Sequence, residues 1–253
     1  MARLSRAVPA IDPIAALRRE GDALAHASAL GPERHVRIYP RWTVSDLVAH
    51  TGSVHRWAER MVRLGARREI ARVPQHERDP ARLIGWFRDG VTRLAETLER
   101  TDPDQPVWTM AADKSAGFWR RRMAHETAVH RWDVEEAVGV VAAIDPRLAI
   151  TGIPETLEIH VIRALAAAPV GGRGERIRIR STDTPGEWTI HLGSDSVAWA
   201  STVDDVDATL SGSASAVWLA IMGRTDQGVE VAGDRRAIRT FWRALRLPAT
   251  PSY

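Results

Sequence analysis

The apolar residues of this chain change their spacing once, and that change limits what the chain can fold into. Up to about residue 168 they recur three and four apart, the period of one helix face. In ERIRIRSTD, EWTIHLG and SVAWAST, which follow, apolar and polar residues alternate, the period of a strand. Neither an all-helical nor an all-β fold accommodates both patterns, so the chain reads as a two-domain α+β protein. Residues 12–29 open a first helix with Asp-Pro. A loop with Gly31, Pro32 and Pro40 leads to a second helix, capped by Thr43 or Ser45 and running to about Leu64. A polar loop at 65–80 precedes helices at 81–100 and 117–139, and four such helices predict a four-helix bundle. A further helix is expected over 152–168, then the strands, a helix over SASAVWLAIMGR and a closing helix after Asp234. The expected domains are 1–150, a helical bundle, and 151–253, a small α+β domain.

At 253 residues, with 44% hydrophobic and 26% charged content, the composition is that of a globular protein. No run approaches the eighteen apolar residues of a membrane span. The N-terminal segment lacks the apolar core of a secretory leader, so a cytoplasmic location without membrane association is expected. The formal net charge is only +3, and the arginines alternate with acids along helices. That is the pattern of solvated faces, and it predicts no nucleic-acid partner. Short clusters such as Arg120, Arg121 and Arg122 are candidates to attract a small anion. The absence of cysteine excludes disulfides, thiolate ligands and a cysteine nucleophile. Any thiol chemistry here needs a thiol brought from outside.

The densest chemistry lies in RRMAHETAVHRWDVEEA, residues 121–137. Each helical residue turns the chain by about 100°, so His125 and His130, five apart, diverge by roughly 140°. They do not form the paired histidines of a zinc-protease helix. Glu126 and His130 are four apart and share a face, which Asp133 continues. This spacing suits either a divalent cation with a carboxylate behind it or an ordinary solvated ion pair. His125 faces the side of Val129 and Trp132, where packing and function are both open to it. Asp133 is placed to orient His130 or a neighbouring arginine. On the second helix, SDLVAHTGSVHRWAERM directs His50 toward the bundle interior from the edge of its apolar stripe, with His55 on the other flank. Bundle cores are where facing helices build metal sites from Glu and His.

LVAHTGSVHRWA and RRMAHETAVHRWDVEEA resemble the two motifs of the mycothiol-dependent maleylpyruvate isomerase family. The resemblance covers nearly the whole chain. It implies a DinB-like four-helix bundle followed by a sterol-carrier-protein-like α+β domain. It carries the family's zinc ligands onto His50, Glu126 and His130, and it places Arg224, in WLAIMGR, toward the active site. Two imidazoles and one carboxylate leave open positions on zinc, where mycothiol would be deprotonated to a nucleophile. The implied activity is that of a zinc- and mycothiol-dependent cis–trans isomerase or thiol S-transferase. Its substrate would be a small electrophilic or anionic molecule, with a carboxylate gripped by Arg224. The expected assembly is a monomer or weak dimer. A zinc hydrolase and a non-catalytic zinc-binding regulatory protein are the competing classes.

Overall fold

A computed structural model of the chain describes residues 11–72, 77, 79–167, 170–201 and 205–245, without the side chains of 160–167. The first ten residues and part of the 65–80 loop, both read above, lie outside that description. The chain divides into two compact units, one spanning Ile11–Ile144 and the other running from Asp145 onward. No helix among the described residues is long and apolar enough to cross a membrane.

The first unit holds four helices, α1 (Pro13–Ser28), α2 (Val44–Arg63), α3 (Pro80–Arg100) and α4 (Ala116–Val138). Their starts are local sequence devices. The Ile14 N–H donates to the Asp12 carboxylate at 2.9 Å with Pro13 in the first turn, and Asp79 with Pro80 repeats the arrangement before α3. Thr43 and Asp46 close a reciprocal capping box on α2. Ser115 caps α4, which ends at Gly139 with φ +83°, a left-handed turn that glycine adopts without a Cβ clash. Gly52 of α2 lies against Trp86 of α3, where a Cβ would come within 2.3 Å of the indole. Any larger residue at that position would drive the two helices apart.

Two features depart from the sequence reading. The stretch expected to be loop around Pro40 contains a short antiparallel ribbon, β1 (His35–Val36) and β2 (Tyr39–Thr43). A two-residue strand shows no period, and Pro40 signals a loop when met in sequence alone. The second departure is α5 (Pro146–Ala167), which begins six residues before its expected start. Asp145 accepts from the Arg147 N–H at 2.9 Å and initiates the helix, which then continues through Pro154.

The second unit sets α5, α6 (Ala214–Ile221) and α7 (Arg235–Leu245) with a five-stranded sheet. Its strands are β3 (Glu175–Ser181), β4 (Glu187–Leu192), β5 (Val197–Ala200), β6 (Ala208–Gly212) and β7 (Val229–Gly233), in the order β5-β4-β3-β6-β7. Only β3 and β6 run parallel. The alternation in IRIR does what its period requires: Ile177 and Ile179 are buried while Arg176 and Arg180 are exposed. Ile190 and Leu210 complete that apolar layer. The Trp218 indole donates to Thr156 at 2.9 Å, and Gly152 leaves room for its ring against α5.

Candidate metal centre

Every residue of α4 from Met123 to Glu135 is buried. Burying a helix on all sides ordinarily requires an apolar surface all round. Here the buried run contains His125, Glu126, Thr127, His130, Arg131, Asp133 and Glu135. Each charge needs a partner, because an isolated ion taken from water costs several kcal/mol.

Part of the run is balanced by a closed ion cluster. Arg131 donates to Glu20 of α1 at 2.8 Å, bridges to Glu135, and donates further to the carbonyls of Ala142 and Ala143. The rest forms a second cluster around His130. Its Nδ1 lies 3.1 Å from Asp133 and its Nε2 3.2 Å from Glu126, the i+3 and i−4 neighbours on one face. Arg122, one turn before Glu126, pairs with the second oxygen of that carboxylate. His50 of α2 completes the group. Its ring centroid is 5.7 Å from that of His130, edge to face, and one donor atom from each of His50, Glu126 and His130 lies within 4.8 Å of the others.

The electrostatics follow from this packing. Burial pushes the His50 imidazole down to about 4, with His130 and Arg72 acting in the same direction against Glu126. Burial alone would lower His130 too, but Glu126 and Asp133 outweigh it and raise that imidazole to about 8. Burial works to raise Glu126, yet Arg122 and then His130 hold its carboxyl well below the ordinary carboxylate range. Near neutral pH the group is therefore a bare imidazole, a carboxylate and an imidazolium, the last standing where a cation is welcome.

The donor set fits a divalent metal such as zinc. Asp133 accepts from His130 Nδ1 and so directs Nε2 to the cluster, while Arg122 occupies one Glu126 oxygen and leaves the other facing His130 Nε2 within the cluster. Donors about 2.0–2.2 Å from one ion lie at most about 4.4 Å apart, so the observed grouping needs only small adjustments. The ribbon supplies a rim that sequence spacing does not disclose. Trp42 stands 5.0 Å from the His50 ring and 5.1 Å from Tyr39, whose ring is 6.3 Å from His130. The Arg122–Glu126 pairing, by contrast, is an i,i+4 spacing that was available in the sequence and overlooked there.

Two other expected site residues are not among these three donors. His125 is 1% exposed and is not among the converging donors. Arg224 follows α6 in the second unit, buried, with its guanidinium donating to the Met222 carbonyl at 2.8 Å. The arginines of the cluster expected to attract an anion each have partners within the protein, Arg121 in an exposed pair. Arg120 binds the carbonyls of Leu98 and Thr101, Arg121 pairs with Asp113 at 2.6 Å, and Arg122 holds Glu126.

Fold and site together define a class: a four-helix unit with an open His-Glu-His donor set between two of its helices, joined to an α+β unit. Residues 12–135, nearly all of the helical unit, match the family described as the mycothiol maleylpyruvate isomerase N-terminal domain. The chain is similar in fold to a solved mycothiol-dependent maleylpyruvate isomerase, at 16% identity and TM-score 0.61, over 94% of this chain and 95% of that one. A histidine-to-alanine mutant of a mycothiol-dependent maleylpyruvate isomerase matches with the same coverage, at 15% identity and TM-score 0.54. No curated protein matches the sequence.

Proposed function

We propose that this chain is a zinc- and mycothiol-dependent enzyme that directs an external thiolate at a small electrophilic or anionic substrate. It would act as a cis–trans isomerase of the maleylpyruvate isomerase kind or as a thiol S-transferase. The observation that carries this reading is the three-donor cluster of His50, Glu126 and His130 in a chain with no cysteine. Three protein donors are the catalytic count for zinc, whereas a closed structural site uses four.

Each side chain has a role in that reading. His50 is unprotonated at neutral pH and offers its lone pair without first losing a proton. His130 donates through Nε2 because Asp133 holds Nδ1. Arg122 keeps Glu126 ionised and aligned. Bound zinc would supply the acidity that makes a thiol a thiolate at neutral pH. For the isomerase, the thiolate adds to a conjugated carbon–carbon double bond, the new single bond rotates, and the thiolate leaves with its electron pair. For the transferase, the same adduct takes up a proton and is released. Arg224 is assigned the grip on a substrate carboxylate through a bidentate pair, and His125 is assigned no step.

The test is dependence on both components. Turnover of a conjugated acid is expected to need zinc and mycothiol together and to saturate in the thiol, with dithiothreitol a poor substitute. The cobalt-substituted protein is expected to gain a strong thiolate-to-metal absorption on adding mycothiol. Activity that persists without any thiol, and no such absorption, would identify a hydrolase and overturn the proposal.

A further inference from the structure

One buried imidazole has no part in the chemistry above. His55 of α2 is 0% exposed and sits five residues beyond His50, hence on a different face of the helix. Its Nε2 lies 2.8 Å from Oγ1 of Thr127 on α4. The Thr127 hydroxyl is also 2.6 Å from the Met123 carbonyl, which can only accept. The threonine proton therefore goes to Met123, and the hydroxyl oxygen accepts from His55. This fixes the tautomer, with the proton on Nε2 and Nδ1 left as a bare acceptor.

That Nδ1 is buried with no hydrogen-bond partner among the described residues. A bare buried acceptor is a cost that an apolar ring in the same place would avoid. The neighbourhood would suit one, since Phe87 of α3 lies 5.5 Å from the His55 ring. The gain that offsets the cost is the bond to Thr127, and its location is informative. It joins the helix of His50 to the helix of Glu126 and His130, at the residue next to Glu126. Those two helices are not each other's main partners, because α4 packs chiefly on α1 and α2 chiefly on α3. The donor-bearing pair thus gets less of its register from apolar packing.

We infer that His55 and Thr127 form a positioning strut that sets the separation of His50 from Glu126 and His130. The inference rests on the metal reading above and assigns neither residue contact with the ion. Groups that orient metal ligands typically change affinity on the order of 10- to 100-fold when removed, and a strut between ligand-bearing helices belongs at the lower end of that range.

The experiment uses the full chain loaded with cobalt(II). His55→Phe is the first variant, because Thr127 keeps its bond to Met123 and no donor is stranded. Thr127→Val removes the hydroxyl from the other side, and Thr127→Ser retains it. Affinity is read by competition with a chromophoric chelator, coordination by the visible cobalt spectrum, and folding by unfolding of the metal-free protein. His55→Phe and Thr127→Val are each expected to lower cobalt affinity about 10-fold and to alter the spectrum, with the double variant no worse than either alone. Thr127→Ser is expected to restore both. Wild-type affinity and spectrum in His55→Phe and Thr127→Val, whatever happens to stability, would reduce the pair to core packing and overturn the strut. If the unaltered chain itself takes up no cobalt, the metal reading falls, and the strut falls with it.

Discussion

The two units bury different things. In the second, the core is the apolar layer of Ile177, Ile179, Ile190 and Leu210, and the only charged residues buried among those described are Glu155 and Arg224. In the first, Glu20, Glu126, Arg131, Asp133 and Glu135 are buried together with His55, His125 and His130, and all but Glu20 and His55 lie on α4. One helix therefore concentrates the electrostatic cost of the molecule. Its two clusters differ in a telling way. Around Arg131 the charges pair off, with the guanidinium between Glu20 and Glu135 and Arg19 on the other Glu20 oxygen, as suits a structural element. Around His130 the donors converge on one another, and the charge there is supplied by a proton that a metal would replace.

Cutting the chain after Ile144 tests the contrast most severely. The first unit alone is expected to bind one zinc but to show no thiol-dependent turnover, by metal analysis and activity assay. Full-rate turnover would remove the second unit, and Arg224, from the proposed chemistry. Within the intact chain, His50→Ala is expected to lose most of its bound metal while its far-ultraviolet circular dichroism stays helical. Full occupancy in that variant would show that His50 is not a ligand.

Stability measurements compare the two kinds of core directly. Arg131→Met leaves buried Glu135 without its cation and Glu20 with only the half-exposed Arg19, and is expected to cost about 3–5 kcal/mol in denaturant unfolding. Ile179→Ala opens a cavity under the sheet at about 2–5 kcal/mol. A negligible cost for Arg131→Met would mean that the polar cluster is dispensable and the contrast between the units superficial.

A smaller effect separates them by pH. Burial first, then Arg56 and the neighbouring histidines acting against Glu126, hold His55 down at about 3. Its folded pKa lies below the unfolded value of 6.5, so between those values the unfolded chain binds a proton that the folded chain refuses. The contribution is complete above about pH 6.5 and is lost as pH falls toward 3, with a slope of at most about 1.4 kcal/mol per unit. In the metal-free protein His50 adds to this slope, and His130 acts in the opposite sense, losing its contribution as pH rises from 6.5 through about 8. His55→Phe is expected to flatten the acid limb in denaturant titrations, and an unchanged slope would show that His55 is protonated in the fold. Smallest of all, Thr43→Ala removes the α2 cap at a cost of about 1 kcal/mol, readable as a shift in the denaturant midpoint.

What could be read in the sequence is what the backbone decides locally. The change from helical to alternating period separates the helices from the sheet, because side-chain direction follows directly from backbone geometry. Asp-Pro at 12–13, Thr43 with Asp46, and Gly139 mark helix ends through contacts within a few residues. The common face of Glu126, His130 and Asp133 is likewise a consequence of two successive turns of helix, and the structure shows it as hydrogen bonds. The meeting of His50 with that face followed from family resemblance, since no period links two helices so far apart in the chain. Only the tertiary structure revealed that Tyr39 and Trp42 of a short ribbon stand beside the imidazoles, that each arginine at 120–122 has a partner within the protein, and that His55 reaches Thr127. Those contacts depend on how whole helices pack. A shift of an ångström between α2 and α4 would break the 2.8 Å bond while leaving every local pattern in the sequence unchanged.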